Sequence, residues 1–139
     1  MTLIAKIINI LFFLLIPVFF ISCDDGDDWF PYVKVDIRLD IHTDLAHLGV
    51  GSSDTINGGL NGIIIYREPD NVFKAYDRTC PYEPSHNCIV KLEDNLFAVC
   101  PCCNSRFVVT CGSPDRSPAS RPLKKYRTYV SGGVLYITN

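Results

Sequence analysis

The chain has 139 residues, 47% of them hydrophobic and 20% charged, and a formal net charge of -2. That length holds one domain with a modest core and not two. A charge so close to neutral, with no basic run, excludes nucleic acid as a partner.

In chain order, residues 3–21 form an apolar run whose only charge is Lys6, ending at Ser22-Cys23 before an abrupt acidic stretch. A basic start, an apolar core and a small residue at the junction follow the order of a secretory signal. About 20 apolar residues also suffice to span a bilayer. Pro17 inside the run and the Ser22-Cys23 junction favour cleavage over a permanent anchor. Phe20-Ile-Ser-Cys23 resembles the bacterial lipobox, with Phe where Leu is usual. Residues 1–22 are therefore expected to be a lipoprotein signal peptide and Cys23 the lipid-bearing first residue of the mature chain. Removing 22 of 139 residues leaves 117, and losing Lys6 with no acid moves the net charge to -3. The expected location is the bacterial cell envelope, with the domain on the extracytoplasmic side and membrane contact through the lipid.

Residues 23–31, with four Asp, read as an acidic tether that holds the domain off the bilayer. Residues 32–139 form the domain. Val33, Val35, Ile37, Leu39 and Ile41 alternate with Lys34, Asp36, Arg38 and Asp40, which predicts a half-buried strand over 32–41. Residues 42–61 are rich in Gly, Ser, Asn and Asp, with Leu45, Leu48, Val50, Ile56 and Leu60 as apolar pins. So long a segment is expected to pack over the sheet or to carry one short element. His42 and His47 lie in it, and surface or packing roles suit both.

From residue 62 the pattern is β throughout. Runs 62–67 and 72–77 flank Glu68-Pro-Asp-Asn71, and runs 89–92 and 96–99 flank Glu93-Asp-Asn95, so both pairs predict hairpins. Residues 106–110, 124–130 and 134–138 supply further strands, the last two joined by Ser131-Gly-Gly133. No part of the mature chain sustains a helical period. Short strands with Gly and Pro turns predict an all-β, small antiparallel sandwich or barrel.

Six cysteines, Cys80, Cys88, Cys100, Cys102, Cys103 and Cys111, fall within 32 residues. In an exported protein that density means disulfides, a metal site, or both. All but Cys111 fall in two clusters, Cys80 to Cys88 and Cys100 to Cys103, each just after a predicted strand at a loop tip. Two such tips side by side converge sulfurs from separate, rigidly held segments, as metal sites need.

Three stretches carry a family resemblance: Phe73-Lys-Ala-Tyr-Asp-Arg-Thr-Cys-Pro81, Val99-Cys-Pro-Cys-Cys-Asn-Ser-Arg-Phe107 and Ser117-Pro-Ala-Ser-Arg-Pro-Leu-Lys-Lys-Tyr126. Together they resemble the Rieske domain, with its C-x-H box, its C-x-x-H-x-S-x-[FY] box and a later G-P-A-x-x-P-L stretch. The 17 residues between Tyr82 and Cys100 match the family's gap, and Ser105, Phe107, Pro118, Ala119, Pro122 and Leu123 fall on matching positions. Ser117 replaces the usual Gly. The resemblance covers residues 62–138 and implies a Rieske-like fold with two cysteine-bearing hairpin loops. It also implies one-electron transfer through a [2Fe–2S] cluster to a redox partner protein, without stand-alone enzyme activity.

The ligands match by half. Rieske centres hold one iron by two Cys and the other by two His. Cys80 and Cys100 occupy the cysteine positions, whereas Tyr82 and Cys103 occupy the histidine positions. The resemblance further implies a Cys88–Cys102 disulfide between the loops, although the first loop is three residues longer than in the family. Three readings of the remaining sulfurs stay open. A [2Fe–2S] cluster would take Cys80, Cys100 and Cys103, with His86, Tyr82 or Cys111 as the fourth ligand. A single Zn²⁺ would use Cys100-x-x-Cys103 as a knuckle. Oxidation to three disulfides would leave a clusterless module that binds an envelope partner. A thioredoxin-type site is disfavoured, because residues 104–110 read as a strand and provide no helix N-terminus to acidify Cys100.

Overall fold

The computed structural model describes residues 29–139, so the expected signal peptide, Cys23 and the Asp residues of the tether lie outside the described residues. One run explains the architecture. Ile63, Ile64, Ile65 and Tyr66 are all buried, which a strand achieves only when both its faces are covered. These residues form β3 (Ile63–Arg67). Ile63 and Ile65 enter a lower core with Val35, Phe73, Leu135 and Ile137. Ile64 and Tyr66 enter an upper core that contains Cys80, Cys88, Cys100 and Phe107. Each Ile buried this way stabilises the fold by about 2 kcal/mol.

The lower core belongs to a six-stranded antiparallel sheet. Its members are β1 (Asp36–Asp40), β2 (Ser53–Ile56), β3, β4 (Phe73–Asp77), β9 (Lys125–Ser131) and β10 (Val134–Thr138), ordered β1-β10-β9-β4-β3-β2. The upper core lies beneath a four-stranded sheet of β5 (Lys91–Leu92), β6 (Phe97–Val99), β7 (Arg106–Val108) and β8 (Pro114–Arg116), in that order. The all-β expectation holds, and the predicted hairpins are β3–β4, β5–β6 and β9–β10.

Three local differences have physical causes. The first strand is shorter than the alternation predicts, because pairing ends at Asp36 opposite Thr138. Beyond that point the Asn139 side chain replaces the ladder, accepting from the Val35 N–H (3.1 Å) and donating to the Val33 carbonyl (2.8 Å). In the 42–61 segment, Leu45 and Leu48 are buried pins, whereas Val50 and Leu60 face solvent. The short element there is β2, which pairs with β3. The stretch from Pro114, outside the strands expected from the sequence, adds β8 to the edge of β7. Proline is tolerated there because an edge strand can spare one N–H. A forked Arg106–Asp115 pair (2.7–3.2 Å) holds that edge, with the guanidinium 4.2 Å from the Phe97 ring centre.

Candidate metal centre

The first cysteine loop leaves β4 through a buried carboxylate. Asp77 accepts from the Thr79 N–H (2.9 Å) and hydroxyl (2.6 Å), the Leu60 N–H (2.7 Å) and the Tyr126 hydroxyl (2.8 Å). With every acceptor direction used, the charge is satisfied inside the fold. Burial, and then the Asp77 carboxylate, push the Tyr126 phenol well above its ordinary range. Gly59 sits at φ +60 against this knot, where a Cβ would strike Asp77. The knot fixes the chain one residue before Cys80. The Cys80 N–H then bonds the Cys88 carbonyl (3.0 Å) and Val90 N–H bonds the Arg78 carbonyl (2.7 Å), closing the loop at its base.

The second loop is closed in the same way. Cys100 N–H bonds the Ser105 carbonyl (2.9 Å), and Asn104 N–H bonds the Cys100 carbonyl (2.8 Å). Asn104 takes φ +60, a left-handed conformation that Asn tolerates better than most residues. A Cys88–Cys102 disulfide joins the loops, with Cα atoms 6.2 Å apart.

That leaves Cys80, Cys100, Cys103 and Cys111 as free thiols. The sulfurs of Cys80, Cys100 and Cys103 lie within 4.8 Å of one another. Cys80 (1% exposed) and Cys100 (0%) are buried, and Cys103 is partly exposed at the rim. Cys80 Sγ and Cys103 Sγ are 3.7 Å apart. Ser105, itself buried, places its hydroxyl 3.1 Å from Cys103 Sγ while accepting the Ala119 N–H (2.8 Å). The proline-rich loop thus reaches the centre through Ala119 and Ser105.

The thiols are electrostatically unequal. Burial pushes Cys80 up to about 12, helped by its hydrogen bond with Cys100 and opposed by the Tyr82 N–H. Burial also raises Cys103, but the Ser105 hydroxyl and N–H, with the Cys100 and Cys80 thiols, outweigh it and hold Cys103 below the ordinary thiol range.

The other expected ligands divide. Cys111 is exposed, its thiol directed to the Val108 carbonyl (3.9 Å), and it is not part of the trio. Tyr82 stands 46% exposed. His86 ends a short 3-10 turn, Pro84–His86, within the first loop, and its side chain lies outside what the structure describes.

No protein-family model and no curated protein matches the sequence. Solved structures do. The cyanobacterial plasma membrane Rieske protein from Synechocystis PCC 6803 is 26% identical, with 78% of this chain covering 100% of that one at a TM-score of 0.52. This is a Rieske-like domain. A chain from a complex of reduced oxygenase and oxidised ferredoxin in carbazole 1,9a-dioxygenase shares the fold at 22% identity, covering 78% of this chain and 94% of that one, with a TM-score of 0.50.

The Rieske-like domain keeps the architecture of an electron-transfer fold, with Tyr82 and Cys103 where that family has histidines. Two thiolates on one tetrahedral ion, each bonded at about 2.3 Å, stand roughly 3.8 Å apart. The 3.7 Å between Cys80 and Cys103 has that spacing. Buried soft donors on two braced loops therefore fit a thiolate-held metal. They could fill three of the four positions a [2Fe–2S] centre takes but do not match its two-Cys, two-His division. Sequence reasoning missed the Asp77 knot, since an acid at a strand end carries no distinctive signal. It also missed the Ser105–Ala119 contact, although both positions match the family boxes.

Proposed function

We propose that this Rieske-like domain is a lipid-tethered electron carrier of the bacterial envelope. Its centre is an iron site held by Cys80, Cys100 and Cys103, with His86 as the fourth donor. The convergence of three free thiols on two braced loops carries this reading. His86 is the one imidazole of the first loop, which places it close to Cys80 along the chain. Cys23 would attach the domain to the membrane, and the acidic tether would let it reach a redox partner protein.

Iron in such a site exchanges one electron at a time. The chain's own contribution is to exclude water around Cys80 and Cys100 and to offer hydrogen bonds to the Cys103 sulfur from Ser105. Thiolate in place of imidazole adds negative charge, so the potential should lie below about -150 mV, the lower edge for Rieske centres. Visible spectra, redox titration and iron analysis of the chain matured in its own host test this. Coloured, iron-containing protein of low potential is expected, and colourless, iron-free protein overturns it. Zinc is the second reading, favoured by the single-ion spacing of Cys80 and Cys103, and would leave the trio reduced in a colourless protein.

A further inference from the structure

The same trio has a chemistry that metal binding does not use. Cys103 is its one member at the rim, Cys80 is buried behind it, and their sulfurs are in contact at 3.7 Å. Bond formation requires closure from that contact to about 2.05 Å. The two loops that carry these sulfurs are held side by side, since each is closed by its own hydrogen bonds and the two are joined by Cys88–Cys102. Cys100 is fully buried and also lies beside the existing disulfide, within 4.8 Å of both its sulfurs. An external reagent therefore reaches Cys103 first and finds Cys80 already next to it.

We propose that Cys103 and Cys80 form a two-electron thiol couple that closes to a disulfide in the metal-free domain and so excludes the metal. The inference rests on the assignment of these thiols to one centre. The oxidant is an external organic disulfide. Cys103 thiolate attacks one of its sulfurs, forming a mixed disulfide and releasing one thiolate. Cys80 thiolate then attacks Cys103 Sγ, forming the Cys80–Cys103 bond and expelling the second external thiolate. Two electrons pass from the pair to the external disulfide, which leaves as two thiols once protons equilibrate. Cys103 attacks and Cys80 resolves, an order set by access alone. The Ser105 hydroxyl, held by Ala119, lies where it can hydrogen-bond the attacking sulfur.

The test uses the full chain in detergent, carrying Cys111→Ser to remove the exposed bystander thiol. Metal is stripped anaerobically with chelator alone, leaving Cys88–Cys102 closed, and oxidised glutathione is added before non-reducing peptide mapping. The expected result is a link between the Cys80 and Cys103 peptides, with Cys100 still free. Adding Cys80→Ser should trap glutathione on Cys103, and Cys103→Ser should abolish the reaction at both positions. Metal-loaded protein should form the link at least tenfold more slowly. A Cys100 link, a glutathione adduct that persists on Cys103 with Cys80 present, or equal rates with and without metal would overturn the couple. A chain that never held metal but still closes the Cys80–Cys103 link overturns the metal centre and supports the couple.

Discussion

The two halves of the centre differ in burial. Cys80 and Cys100, on the family's cysteine positions, are buried in the upper core and packed among apolar side chains. Tyr82 and Cys103, on its histidine positions, sit at the rim, one exposed to solvent and the other against Ser105. The buried half is therefore part of what stabilises the fold, whereas the rim half can change donor without disturbing it. The difference shows that here the buried sulfurs are tied into the core, while the rim positions can be altered with little effect on packing.

The largest perturbation is to cut the tie between the halves. Cys88→Ala with Cys102→Ala opens a link of sequence separation 14 and should cost about 3 kcal/mol in denaturant unfolding. Metal affinity should fall as well, because the loops would no longer hold the trio together. A smaller effect separates the halves directly. Cys100→Ser buries an unsatisfied hydroxyl and should cost about 2 kcal/mol, whereas Cys103→Ser at the rim should stay within about 1 kcal/mol. Both should abolish tight metal binding, so equal stability losses would contradict the division between halves.

Alkaline titration sharpens the contrast further. In the reduced, metal-free chain, Cys80 keeps its proton in the folded state up to about 12, whereas the unfolded thiol ionises near 9. Its stabilisation is fully present below pH 9 and is lost as pH rises toward 12. Cys103, held low, contributes in the opposite sense: present above pH 9, and lost as pH falls through its lowered folded value. Thermal melts of Cys103→Ser and of the unmodified chain across this range should therefore diverge. The smallest structural effect is expected from Tyr82→His, an exposed change costing no more than about 0.5 kcal/mol. With His86 as the fourth donor, position 82 lies outside the coordination sphere and the potential of an iron centre should not move; a raised potential would place position 82 among the ligands.

Legibility in the sequence followed the same division. Strict alternation marked the buried face of residues 33–41, and the unbroken apolar run at Ile63–Tyr66 reflected a strand covered on both sides. The cysteine loops were readable because turn residues and sulfurs recur at fixed spacing. What could not be read was set by tertiary contacts. Nothing local distinguishes Leu48, which is buried, from Leu60, which is exposed. The strand at Pro114 exists only because β7 provides an edge that needs few donors. The contact between Cys80 and Cys103 joins two loops far apart in sequence, so spacing alone left the partners of both sulfurs open.

That the sulfurs of Cys80, Cys100 and Cys103 hold metal is checked by X-ray absorption at the metal edge on protein matured in its host. The account predicts a dominant shell of about three sulfur neighbours near 2.3 Å. A shell dominated by nitrogen or oxygen, or protein without stoichiometric metal, would contradict it.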